Sequence, residues 1–148
     1  MDSFTIRASS LGELTDCPAR WEAKYLLGMR LPSSTAAHLG TSIHAGTAAF
    51  DAARLNGSPI TVMDAIGPMI DTLHDKTAEV DWRDGDWTPK EAEKVSIKLL
   101  NGYCQNVAPH FEYSGVEVTC EALEVTMPNG VTITLTGTTD RIYRVGEQ

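Results

Sequence analysis

Two side chains in this 148-residue sequence have types that can hold a metal and positions that need explaining, His44 and Asp140. His44 falls inside a helical pattern one turn after Gly40, so the two share a helix face. A glycine inside a helix costs about 1 kcal/mol against alanine. Such a glycine marks either close backbone packing or room for a ligand. The pair therefore reads as a core histidine beside a packing glycine, or as a face that meets something. Asp140 follows Gly137-Thr138-Thr139 in a strand-forming stretch. Aspartate is unfavourable in a strand, so it faces water or holds something there. What a carboxylate offers is an oxygen ligand for a hard cation. Glu121 and Glu124 lie on the polar phases of their strand segments, where a solvated face is the default reading.

The elements that must position these residues follow from the hydrophobic period. Ser10 and Glu13 have capping-box spacing, ahead of an apolar stripe of Leu11, Leu14, Trp21 and Tyr25. Pro18 interrupts that stripe and opens a second helical piece ending at Gly28. A helix is expected over about 36–55, with Leu39, Ile43, Phe50 and Ala53 buried. A third over about 61–78 carries Met63, Ile66, Ile70 and Leu73, with a kink or split at Gly67-Pro68. Thr88, Pro89 and Glu91 open another, running to about Val107. From Gly115 the period changes to two. The apolar phase shifts between Cys120 and Leu123, which predicts a bulge near Ala122. Pro128-Asn129-Gly130 predicts a hairpin turn, followed by strands over 131–136 and 138–145. The expected class is α/β: helices over about 9–110, then an antiparallel β meander over about 115–145, in one domain. A sheet ending at Arg144–Gln148 with one face uncovered looks unfinished, and the expectation is that the native chain continues.

Composition limits the partners. The net charge is −8 with a pI near 4.8, which argues against a surface that grips nucleic acid everywhere by charge but leaves room for a local basic groove. Cys17, Cys104 and Cys120 are odd in number and widely spaced, neither a disulfide framework nor a Cys-x-x-Cys site, which favours a reducing compartment. The first ten residues lack the layout of a signal peptide. The expectation is a soluble cytoplasmic protein with no membrane partner.

Taken together, the motifs resemble a known family. Ser9-Ser10-Leu11 with Cys17-Pro18-Ala19-Arg20 resembles the S-x-L-x-x-x-x-x-C-P-x-R opening of RecB-type nucleases. Gly40-Thr41-Ser42-Ile43-His44 is similar to their G-x-x-x-H helix. Glu121–Val125 with Leu135-Thr136-Gly137-Thr138-Thr139-Asp140-Arg141-Ile142 resembles their E-x-x-x-x … L-x-G-x-x-D-R-I hairpin. The resemblance to this branch of the PD-(D/E)XK nucleases implies a restriction-endonuclease-like core, incomplete at its C-terminal end. It also implies DNA phosphodiester hydrolysis with Mg²⁺ or Mn²⁺, as by an exonuclease of DNA repair or recombination. On that reading Asp140 is a metal ligand, His44 stands by the metal and the phosphate, and Glu121 is an accessory acid. Arg20 and Arg141 contact phosphate, or Arg141 holds a neighbouring carboxylate.

The same resemblance places a D-x-K strand after the G-x-x-D-R motif, and residues up to Gln148 do not include it. The chain alone is therefore expected to be inactive. Some relatives bind an iron–sulfur cluster, for which Cys17 fits the first ligand and Cys104 and Cys120 do not fit the rest. Two alternatives remain: a non-catalytic module that binds DNA or protein, and one half of a split nuclease. Expected partners are DNA and either a helicase domain or subunit or a completing nuclease polypeptide.

Overall fold

The computed structural model describes residues 3–83 and 87–145. They group into two compact units, each built from separated stretches of chain: residues 1–30 with 117–140, and residues 31–116 with 141–148.

The first unit begins with a strand that the expected meander does not include. β1 (Ser3–Arg7) alternates Phe4 and Ile6 with polar neighbours and runs parallel to β6 (Thr132–Thr136), aligning Arg7 with Thr136 and Thr5 with Thr134. β5 (Leu123–Thr126) pairs antiparallel on the other side of β6, so the order is β1-β6-β5. The hairpin over 128–130 is as expected, with Gly130 at φ +83. The sheet is thus mixed, because a strand from the far end of the chain joins the meander.

A 3-10 turn over Ala8–Ser10 leads into α1 (Leu11–Asp16) and α2 (Pro18–Tyr25). Ser10 makes no capping bond to α1. Its hydroxyl donates to the Arg7 carbonyl at 2.8 Å and accepts from the buried Trp21 indole at 3.0 Å. Glu13 pairs instead with Lys24 at 2.8 Å and Arg20 at 3.2 Å. The Lys24 hydrogen bond holds the Glu13 carboxyl below its ordinary range.

The second unit is three packed helices. A short parallel pair, β2 (Ser33–Ser34) and β3 (Val80–Asp81), flanks α3 (Thr35–Leu55), which Ser34 caps through the Ala37 N–H. α4 (Val62–Leu73) and α5 (Pro89–Asn106) each open on a reciprocal capping box, Thr61/Asp64 and Thr88/Glu91. Ala65, Met69, Leu100 and Cys104 form one core cluster, and Leu39, Leu73 and Ala92 a second. Burying a side chain the size of Met69 or Leu100 contributes about 1.5–3 kcal/mol. His38 fastens α3 to the end of α4, its Nε2–H donating to the Leu73 carbonyl at 3.0 Å.

Of the kink or split expected at Gly67-Pro68, the split does not occur: α4 continues through Pro68, with Ala65 and Met69 buried on either side. α4 also stops at Leu73 rather than near 78, where Asp75 accepts the Thr77 N–H and hydroxyl at 2.8 Å and competes with the helix.

The last two-stranded sheet is β4 (Tyr113–Thr119) with β7 (Thr138–Tyr143). The Arg144 N–H reaches the Glu112 carbonyl at one end, and the Cys120 N–H reaches the Gly137 carbonyl at the other. From 112 to 120 the chain advances eight positions, while from 137 to 144 it advances seven. The β4 side therefore carries one extra residue. The expected bulge near Ala122 is instead the link between two strands of different sheets.

Candidate functional site

The extra residue is marked by its backbone. Glu117 is the one non-glycine residue with positive φ among the described residues, at +51°. A side-chain-bearing residue pays about 1–2 kcal/mol for left-handed geometry, so the rest of the strand pair must impose it. A bulge re-aims the side chain it carries. Here a Glu117 carboxylate oxygen lies within 4.8 Å of one from Asp140. Both residues are exposed, so both carboxylates meet solvent. Two oxygen donors at this spacing on paired strands fit a hard divalent cation, which completes its shell with water.

The acid brought next to Asp140 is thus Glu117. Glu121, the acid singled out by the hairpin motif, lies exposed in the link between β4 and β5. Sequence alternation marks Glu117 only as a polar position, and its role depends on the register with β7.

His44 stands half-buried on α3, in the second unit. The buried histidine of that helix is His38. Gly40 is exposed, and a Cβ built on it meets nothing within 4 Å, so it is not a packing glycine. That part is played by Gly46, whose Cβ would lie 2.9 Å from Leu100 Cδ2 and 3.0 Å from the Ala65 carbonyl oxygen.

Arg141, the residue after Asp140, is engaged inside its own unit. Its Nε donates to Asp51 Oδ2 at 2.7 Å and its Nη2 to the Thr47 hydroxyl at 3.2 Å. Asp51 is fully buried, and the same oxygen accepts from Tyr103 at 2.6 Å. Tyr103 is bonded in turn to Tyr113 at 2.9 Å. Burial and then the Asp51 bond push the Tyr103 hydroxyl far above its ordinary range, so it remains a donor. Burial works against the charge on Arg141, but its bond to Asp51 outweighs this and its pKa is raised. Arg141 thus holds the buried Asp51 carboxylate. The sequence signal for Asp51 is an acid seven positions after His44, hence on the same helix face.

Arg20 is exposed on α2 and paired with Glu13 and with Asp16 at 2.8 Å. Cys17 is half-buried between α1 and α2, Cys104 is buried in the helical core and Cys120 is exposed; all three are free thiols. Among the described residues no group of three metal-ligating side chains includes a cysteine.

Comparison with known proteins decides the family. A family model for the PD-(D/E)XK nuclease superfamily matches residues 5–148. The chain belongs to this superfamily. A search of curated proteins returned no significant match. The mixed helix-and-sheet architecture agrees with the superfamily's α/β restriction-endonuclease-like fold. In a PD-(D/E)XK nuclease, acids on neighbouring strands are where a divalent metal is expected, and β4 and β7 carry such a pair. Among the described residues no helix is long and apolar enough to cross a membrane.

Proposed function

We propose that the chain is the metal-binding part of a DNA nuclease that hydrolyses phosphodiesters with Mg²⁺ or Mn²⁺. The observation that carries this reading is the Glu117–Asp140 carboxylate pair, presented on a bulged strand of a PD-(D/E)XK chain. A divalent cation held there would neutralise charge on the scissile phosphate and lower the pKa of a bound water. Asp140 and Glu117 serve as its carboxylate ligands and His44 as a third. What supports His44 is the G-x-x-x-H resemblance of Gly40–His44. Arg141 acts within its own unit as a positioning residue, through its bonds to Thr47 and Asp51. The resemblance to RecB-type enzymes supports exonuclease work in repair or recombination, beside a helicase domain or subunit.

The test separates metal binding from cleavage. Calorimetric titration with Mn²⁺ on this chain should show one site that Asp140→Asn and Glu117→Gln each weaken at least tenfold. Retained Mn²⁺ affinity in both variants would sink the reading. The native polypeptide from its own cell should cleave DNA in Mg²⁺ or Mn²⁺ and lose that activity with Asp140→Ala. Metal binding without cleavage on any DNA end or structure would favour the non-catalytic module.

A further inference from the structure

Beside Asp140, within the first unit, lies a cavity of about 480 Å³ lined by Thr5, Arg7, Ser9, Thr136 and Thr138. That volume falls within the roughly 300–1,000 Å³ of small-ligand sites. Its lining is rich in donors: one guanidinium and four hydroxyls, against the single carboxylate of Asp140.

Three observations give this lining a direction. Arg7 aligns with Thr136 and Thr5 with Thr134 in the parallel β1–β6 ladder, so these side chains share one face of the sheet. Ser3 and Thr132 continue the same face, leaving Phe4, Ile6, Ile133 and Leu135 on the other. Arg20, Arg54, Arg83, Arg141 and Arg144 all pair with carboxylates and Arg30 lies over the Tyr25 ring, whereas Arg7 pairs with no carboxylate among the described residues. Its donors are therefore available in a chain of net charge −8. Finally, Gly137 lines the cavity, and a Cβ on it would lie 3.2 Å from Ala8 Cβ. The missing side chain lets the 3-10 turn that bears Ser9 approach the β6–β7 link.

We infer that this cavity is a phosphate subsite for a DNA strand, with Arg7 as its charged donor and the hydroxyls of Ser9, Thr136 and Thr138 around it. The inference rests on the nuclease reading for the class of ligand and extends it to residues that bind rather than cleave. A planar guanidinium suits two oxygens of one phosphate. Hydroxyls add hydrogen bonds without adding charge. The threonine face of β6 would let the sugar-phosphate backbone run from this subsite along the sheet.

The experiment measures DNA binding without metal, so that cleavage does not enter. Fluorescence anisotropy of a labelled single-stranded oligonucleotide in EDTA, over a series of salt concentrations, is compared for the full chain, Arg7→Ala and Arg7→Lys. Far-ultraviolet circular dichroism checks that the exposed substitution leaves the fold intact. Arg7→Ala should weaken binding about tenfold, the scale of one charge-assisted contact. It should also flatten the log–log salt slope by about 0.7, the value for one phosphate on a single strand. Arg7→Lys should keep the slope and lose part of the affinity. Unchanged affinity and slope in Arg7→Ala would overturn the inference, even if the native polypeptide cleaves DNA. An Arg7 effect in a protein that never binds Mn²⁺ at Asp140 would leave this subsite standing and remove the nuclease reading instead.

Discussion

Glu117 shows how a single residue can trade stability for a site. Its φ of +51° is unfavourable for any residue with a Cβ. Glycine escapes that cost of about 1–2 kcal/mol, and what it loses to alanine in a strand interior is smaller, about 0.5–1 kcal/mol. Glu117→Gly should therefore melt above Glu117→Ala, reversing the usual order in a strand, while both lose the carboxylate. Thermal melts of the two variants read this directly, and an alanine variant at least as stable as the glycine one would mean the strain is not there. Asp51 is the opposite case. Its buried carboxylate takes Arg141 and Tyr103 on one oxygen, while among the described residues Oδ1 accepts no hydrogen bond and lies 3.9 Å from the Arg54 guanidinium. Neither acid was legible as functional from the sequence. Glu117 looks like any exposed strand position, and Asp51 like any polar residue in a small-residue helix, until the partner strand is in place.

At the scale of elements, the helices were the legible part, because their signals are local. Thr88 with Glu91 and Pro89 marks the start of α5 in the sequence, and both bonds of that capping box form. What local signals do not give is which glycine packs. Gly40 and Gly46 lie within one helical pattern, and only the crossing of α3 with α4 and α5 separates them. A methyl at Gly46 meets the Ala65 carbonyl oxygen and Met69 Cβ at 3.0 Å, so backbone must move to admit it. Gly46→Ala should destabilise the chain by about 1–3 kcal/mol, the usual range for overpacking. Gly40→Ala meets nothing within 4 Å and should stabilise α3 by about 1 kcal/mol through helix propensity alone. Urea titration of both variants checks the pair. Equal effects would mean that α3 does not pack against its neighbours through Gly46.

Across the whole molecule, both units are assembled from separated stretches of chain, a pairing that short local sequence signals do not encode. β1 is five residues long and its partner β6 begins at Thr132, so no local pattern announces the pairing. The family motifs were legible because each is a short local string; the cavity at Arg7 was not, because its two walls come from opposite ends of the sequence. Such an arrangement distributes stability unevenly. The helical unit buries Ala65, Met69, Ala92 and Leu100 completely, whereas all four residues of β5 are exposed. Local opening is cheapest where few apolar contacts and exposed backbone bonds coincide. Native-state hydrogen exchange should therefore find the β5 amides exchanging far faster than those of α4 around Met69 and of α5 around Leu100. The β1–β6 ladder should fall between, since Ile6 is buried but Phe4 is exposed. Protection of β5 equal to that of α4 would show that the exposed strand is held by more than its ladder to β6, and that the two units open together rather than separately.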